Sequence, residues 1–205
     1  HNKKQSRLDS DEMKELLTDV ITGDALDDNK KPYARRSNMR DTAIIALLGG
    51  TGIRVSELVG IDLNDIDWEH NCIRIIRKGG NEDIVYFGDE LHRYLEDYIN
   101  YEREPGDDKE KALFVASRKD KGRLTVRSVE RIVSKYGTAT IPSKHLSPHS
   151  LRRTFGTNYY EETSDLYAVA DALGHKNIQV TKDHYADISE RKKQQVKEFS
   201  DKLLK

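Results

Sequence analysis

The residues best equipped for chemistry lie in the last third of the chain. His149 and Arg152 stand in Ser147-Pro148-His149-Ser150-Leu151-Arg152-Arg153, Leu173-Gly174-His175 follows, and Tyr185 comes ten residues later. One phosphodiester could engage all four groups. An arginine forks two donors onto a phosphate, imidazoles donate to its oxygens or relay a proton, and a tyrosine can attack phosphorus and carry it covalently. Together they form an inventory for phosphoryl transfer without a metal. Arg54, in Thr51-Gly52-Ile53-Arg54-Val55-Ser56-Glu57-Leu58, adds a second guanidinium if the fold brings it there.

Each of these residues has a plainer reading. Tyr185 is one of ten tyrosines, and only its spacing from Leu-Gly-His singles it out. Tyr159 reads as core beside Phe155, and Tyr86 and Tyr98 fit sheet and helix packing. His184 and Arg153 read as incidental to the chemistry. Arg54 could serve only as an ion-pair partner of Glu57, three residues on. A zinc pair of His145 and His149 is disfavoured, because Pro148 separates them at a helix start and no carboxylate lies between them as a metalloprotease helix requires.

These groups must be held by local structure. Leu8, Met13, Leu16, Leu17, Val20 and Ile21 repeat with a helical period over residues 9 to 21, with Ser10 as the expected cap. A polar loop from Gly23 to about Ser37 leads to a buried helix over Asp41 to Leu48, ended by Gly49-Gly50. Thr51-Gly52 then forms a tight turn that delivers Arg54 to a short helix. Alternation through Cys72–Arg77 and Asp83–Phe87 predicts two strands, and Lys78-Gly79-Gly80-Asn81 is the hairpin turn. Lys78 thus falls on the tip, although a one-residue change in register would exchange it with Arg77.

Leu91, Leu95, Tyr98 and Ile99 mark a helix over Asp89 to Asn100. A charged loop from Tyr101 to Lys111 and a short apolar strand over Ala112 to Ala116 follow. Thr125 caps a helix whose inner face is Val129, Ile132, Val133 and Tyr136. Ser147 and Pro148 start a helix running to about Tyr160, on which His149 and Arg152 share an outward face. Leu166, Val169, Ala170 and Leu173 are the buried stripe of a helix that stops at Gly174, so His175 emerges just past its end. A last helix from Glu190 carries Val196, Phe199 and Leu203, an apolar stripe that must dock somewhere. The whole reads as α+β: a mainly helical domain with a small antiparallel sheet.

The chain's 205 residues support one substantial core with room for a small satellite. No apolar run approaches a membrane span and no signal peptide is evident, so the reading is a soluble, cytoplasmic protein. One cysteine, Cys72, forbids an internal disulfide and is too few for a thiolate zinc site. The formal charge of -1 hides local fields. Acid gathers near the start, from Asp9 to Asp28, whereas Lys30, Lys31, Arg35, Arg36 and Arg40 form a basic run, and local field decides a DNA footprint. The chain opens on His1 and a charged stretch, Asn2 to Arg7, which reads as a cut at an interdomain linker with sequence missing upstream.

Taken in order, Thr-Gly-x-Arg54-x-x-Glu57-Leu, Lys78 on a hairpin, His149-x-x-Arg152, Leu173-Gly174-His175 and Tyr185 resemble the catalytic domain of the tyrosine recombinases, the phage and transposon integrase family. The resemblance runs from about residue 7 to 190. It implies that Arg54 and Arg152 clamp the phosphate, Lys78 is the hairpin acid, His149 and His175 are the histidine positions, Tyr185 is the nucleophile and Glu57 organises the first arginine. Two departures stand out. Asn81, Glu82 and Asp83 occupy places where many relatives carry basic residues, and Arg153 replaces a frequent histidine.

The resemblance further implies a site-specific DNA recombinase that forms a 3'-phosphotyrosyl link with a free 5' hydroxyl, with no cofactor, metal or ATP. It implies double-stranded DNA recombination sites as partners, a homo-tetramer in the synaptic complex, and accessory DNA-bending or directionality factors. Residues 1 to 189 are then the catalytic domain, residues 190 to 205 a tail docking in trans on a neighbour, and a preceding DNA-binding domain is absent from the chain. Two other functions fit part of the pattern: a type IB topoisomerase, which relaxes supercoils as a monomer, and a DNA-binding relative that has lost catalysis.

Overall fold

The computed structural model describes residues 7–104, 111–117 and 122–205. The basic start from Asn2 to Ser6 and positions 105–110 of the charged loop lie outside the described residues. The chain forms two compact units, divided between Phe155 and Gly156.

In the first unit, α1 (Ser10–Thr22) is capped by Asp9 rather than Ser10. Its carboxylate accepts the Glu12 N–H at 2.8 Å while Glu12 accepts the Asp9 N–H at 3.1 Å. This reciprocal cap uses a full negative charge at the positive end of the helix, which a hydroxyl cannot offer. The loop that follows contains a short helix, α2 (Lys31–Ala34), with Pro32 in its first turn.

α3 (Asn38–Thr51) is longer than its sequence suggests. Gly49-Gly50 does not end it. A Cβ added at Gly49 would stand 2.4 Å from Met13 Cε, so that glycine is the place where α1 packs on α3. Eleven of the fourteen residues of α3 are buried, which makes it the axis of the unit rather than a surface helix. Its first N–H groups are satisfied from afar: Glu102 accepts from Met39 at 3.1 Å and Arg40 at 2.7 Å. Asp41, with no exposed surface, holds Arg40 at 3.0 Å and Lys135 at 3.9 Å. Burial pushes the Asp41 carboxyl up, against the pull of those cations. The helix ends at Gly52, whose φ of +71° favours a residue without a Cβ, and α4 (Val55–Val59) starts directly after Arg54.

A single turn at Leu63–Asp65 enters a three-stranded antiparallel sheet, β1 (Ile66–Asp67), β2 (Cys72–Ile76) and β3 (Glu82–Tyr86), in that order. The two-residue β1 is too short to leave a sequence signal. Ile73, Ile75 and Val85 face the core. Tyr86, expected to pack, is exposed with Ile84, which shares its parity along the strand.

α5 (Asp89–Asp97) runs into a π-helical turn at Tyr98–Glu102. Tyr98 is buried as expected; its hydroxyl donates to the Leu113 carbonyl at 3.0 Å, and burial pushes the phenol up to about 12. The segment Ala112–Ala116, expected as a strand, makes only isolated bridges, Asp62 to Ala112 and Val115 to Arg123. α6 (Val126–Thr140) buries Val129, Ile132, Val133 and Tyr136 as its pattern predicts, with Thr125 as cap. α7 (Pro148–Thr163) starts where Ser147 accepts the Ser150 N–H at 3.2 Å, and Leu151 on it joins the same core.

The second unit begins within α7 and continues through α8 (Leu166–Leu173), α9 (Ile178–His184), α10 (Ala186–Gln194) and α11 (Val196–Leu204). Asp165 and Asn177 cap α8 and α9, and the left-handed Gly174 stops α8 as expected. Val169, Ala170 and Leu173 are buried. Tyr160, rather than Tyr159, is the deeply buried tyrosine of α7, because its face carries it toward the Tyr185 ring. The expected single tail helix from Glu190 is two helices joined at Gln195, the first starting at Ala186. Val196, Phe199 and Leu203 are 61%, 63% and 71% exposed, an apolar stripe left uncovered among the described residues.

Candidate active site

Arg54 sits at the N-cap of α4, fixed by the turn before it. Its backbone N–H donates to Glu57 Oε1 at 2.9 Å, and its guanidinium lies 3.4 Å from Glu57 Oε2. The same carboxylate accepts from Arg77 at 3.2 and 3.3 Å, and Arg77 Nε donates to Asp83 at 2.6 Å. One buried carboxylate therefore serves two guanidiniums and is not used up by Arg54. The Arg54 side chain stays 39% exposed while that of Arg77 is 9% exposed. Arg54 is braced and still open to an anion.

The hairpin register separates Lys78 from Arg77. The turn closes with Gly80 N–H on the Arg77 carbonyl at 3.0 Å and Arg77 N–H on the Asn81 carbonyl at 2.7 Å. Arg77 turns inward to its two carboxylates. Lys78 is exposed on the tip and makes no ion pair among the described residues. Asp83, which fills a place where relatives carry a base, works as an internal anchor for Arg77.

Arg152 does not share an outward face with His149. It is 8% exposed and donates through its guanidinium to the Gly52 carbonyl, two residues before Arg54. Its side chain folds back inward, while His149 remains exposed one turn earlier on α7. Arg153 Nε donates to His149 Nε2 at 3.0 Å, which makes that nitrogen an acceptor and leaves Nδ1 to carry the proton of the neutral ring. Arg153, which read as incidental, thus selects a tautomer of the expected base.

The second unit holds the other pair. His175 follows the Gly174 cap, and its Nδ1 is 2.7 Å from the Thr181 hydroxyl. Thr181 is fully buried, and its carbonyl accepts the Tyr185 N–H at 3.1 Å, so one residue ties the histidine to the tyrosine. Tyr185 lies at the junction of α9 and α10, 5% exposed, its ring centroid 6.0 Å from that of Tyr160. The His184 ring lies 5.8 Å from His175 and 6.4 Å from Tyr185, closer company than its sequence position suggests.

Arg54, Lys78, His149 and Arg152 thus belong to the first unit, His175 and Tyr185 to the second. Sequence reasoning gave Thr181 no role, weighed Arg77 only as a rival of Lys78 and took Asp83 only as a departure, whereas the fold pairs Arg77 with Glu57, 20 residues away. Sequence reasoning also passed over Gly156, which did leave a signal: a glycine inside a helix costs about 1 kcal/mol relative to alanine and calls for a reason.

Residues 6–192 match the family model described as the phage integrase family. The tyrosine recombinase XerC of Corynebacterium glutamicum is 37% identical over 189 residues, which cover 87% of this chain and 60% of that protein. The crystal structure of XerA recombinase aligns with a TM-score of 0.72 at 26% identity, covering 87% of this chain and 59% of that one. The fold is also that of XerH site-specific recombinase in its post-cleavage complex with a palindromic difH substrate, with a TM-score of 0.75 at 22% identity over 95% of this chain and 53% of that one. The chain accordingly spans 60% of the length of its corynebacterial relative. On the breadth of that match, the chain belongs to the phage integrase family.

Proposed function

We propose that this domain breaks and rejoins DNA at recombination sites through a 3'-phosphotyrosyl intermediate, as the catalytic part of a site-specific recombinase. The observation that carries this reading is the Gly52 turn. Arg152 is tied to the Gly52 carbonyl and Arg54 follows two residues later, so two guanidiniums are anchored at one turn. Paired cations of this kind neutralise the nonbridging oxygens of a phosphodiester as it becomes pentacoordinate.

In the proposed reaction, Tyr185 Oη attacks phosphorus and the bond to the 5' oxygen breaks. A free phenol has a pKa near ~10 and is a weak nucleophile at neutral pH, so its proton passes to His149 Nε2, which gives up its hydrogen bond from Arg153 to take it. The departing 5' oxygen takes a proton from Lys78, which the hairpin tip can carry to the DNA when it binds. His175 donates to the phosphate. The phosphotyrosyl link retains the energy of the phosphodiester, so the 5' hydroxyl of another strand can reverse the step on a new partner without a nucleotide cofactor.

The partners proposed are double-stranded recombination sites, three further copies of the chain in a synaptic tetramer, and accessory DNA-bending or directionality factors, all in the bacterial cytoplasm. The exposed stripe on α11 supports docking in trans on a neighbouring copy. Removing residues 196–205 should preserve DNA binding while abolishing cooperative cleavage; unchanged assembly and exchange would refute the docking role.

The decisive experiment traps the protein on a suicide duplex and maps the adducted peptide by mass spectrometry. The adduct is expected on Tyr185 and absent from Tyr185→Phe. An adduct elsewhere overturns the reading. Plasmid relaxation without exchange between sites replaces it with a topoisomerase, and sequence-specific binding with no adduct replaces it with a binding module.

A further inference from the structure

Gly156 stands inside α7, where alanine would make a better helix. Its environment in the second unit gives a reason for the bare Cα. A Cβ added there would lie 1.8 Å from Tyr185 Oη, 2.8 Å from Tyr185 Cζ and 3.3 Å from Leu173 Cδ1. Carbon and oxygen in contact need more than 3 Å, so any side chain at 156 would have to displace the phenol, whereas Leu173 would have to give by only a few tenths of an ångström. Tyr160 packs against the ring, and the Thr181 carbonyl fixes the backbone that carries it through the Tyr185 N–H. Tyr185 is 5% exposed, whereas Tyr86, Tyr101 and Tyr167 are 70%, 76% and 70% exposed.

We propose that Gly156 is a positioning residue for Tyr185: its missing side chain forms a seat in which the phenol rests, sheltered from solvent, in the DNA-free protein. A phenol so enclosed must leave its seat before Oη can approach a phosphorus atom carried by a duplex. That consequence rests on the reading of Tyr185 as nucleophile, whereas the seat itself does not.

The test compares wild type and Gly156→Ala by tyrosine nitration of the DNA-free protein, with each site quantified by peptide mass spectrometry. In wild type, Tyr185 should nitrate at least several-fold more slowly than Tyr86, Tyr101 and Tyr167. In Gly156→Ala its rate should rise several-fold toward theirs while the three exposed sites stay unchanged. Equal protection of Tyr185 in both proteins, or an unprotected Tyr185 in wild type, overturns the seat.

A thermal cycle covers the case in which Gly156→Ala folds poorly. That substitution should lower Tm in the wild-type background and raise it in Tyr185→Ala, where the seat is empty and the gain in helix propensity outweighs a slight shift of Leu173. Additive shifts in Tm overturn the proposal. An adduct mapped to another residue would remove Tyr185 as nucleophile and leave the nitration pattern as expected, so the two ideas fail separately.

Discussion

The two units hold their functional groups by different physical means. In the first, Arg54 and Arg152 hang on a buried axis: α3 is covered almost all round, and its far end supplies the Gly52 carbonyl that Arg152 grips. Arg54, Glu57, Arg77 and Asp83 then form an alternating chain of charge in which each carboxylate is satisfied. In the second, about 50 residues bury only a handful of apolar side chains, among them Val169, Leu173 and Ile188. There His175 meets the Thr181 hydroxyl, and Tyr185 packs against Gly156 and the Tyr160 ring. A unit that small draws little stability from its core. Arg54 and Arg152 are thus fastened to a buried axis by charge and hydrogen bonds, whereas Tyr185 is held by packing in a small unit.

The largest effect that would sharpen this contrast is expected at Asp41. Asp41→Ala strands the buried Arg40 and should cost about 3–5 kcal/mol. Urea unfolding followed by Trp68, the sole tryptophan and a residue of the first unit, measures it. A cost under about 1 kcal/mol would break the picture of a charged, buried axis.

Glu57→Gln comes next. It removes the charge shared by Arg54 and Arg77 but keeps the shape, so single-turnover cleavage of a suicide substrate should fall about 100-fold, with a stability loss of about 1.5–3 kcal/mol. Normal cleavage would mean that Arg54 needs no brace.

Thr181→Val should be milder. Losing the hydroxyl on His175 costs about 1 kcal/mol and an expected tenfold in cleavage, with the dissociation constant for DNA unchanged. A loss of DNA affinity equal to the loss of rate would show instead that Thr181 supports the whole unit.

The smallest effect concerns pH. Burial raises the Glu102 carboxyl above its ordinary value of 4.5. A raised folded-state pKa contributes stability that is fully present below the unfolded value and is lost as pH rises through the folded one. Against Glu102→Gln, wild type should therefore lose relative stability as pH climbs from about 4 toward neutral, by an amount readable in urea midpoints. A constant difference across that range would refute it.

Much of this was open to reading from residue order. The alternation around Lys78-Gly79-Gly80-Asn81 and the Thr125 and Ser147 caps are local signals, and each element formed where its signal lay. The turn at Thr51-Gly52 and the stop at Gly174 were legible for the same reason, since backbone handedness is decided within a few residues. Gly49 misled, because a glycine chosen for packing leaves the same trace as one chosen for a turn, and only Met13 on another helix tells them apart.

From its sequence alone, then, this chain declared the types of group available for phosphoryl transfer and the short elements that carry them. Tertiary structure decided which of them are fastened and to what. Arg152 turned inward to a carbonyl 100 positions earlier, Arg77 rather than Lys78 took the buried Glu57 carboxylate, and Thr181 and Gly156 acquired roles through neighbours that no spacing announces. The reason is physical: helix and turn preferences are set by interactions over a few residues, whereas the burial of a charge or the room for one phenol depends on atoms that meet only after the chain has folded.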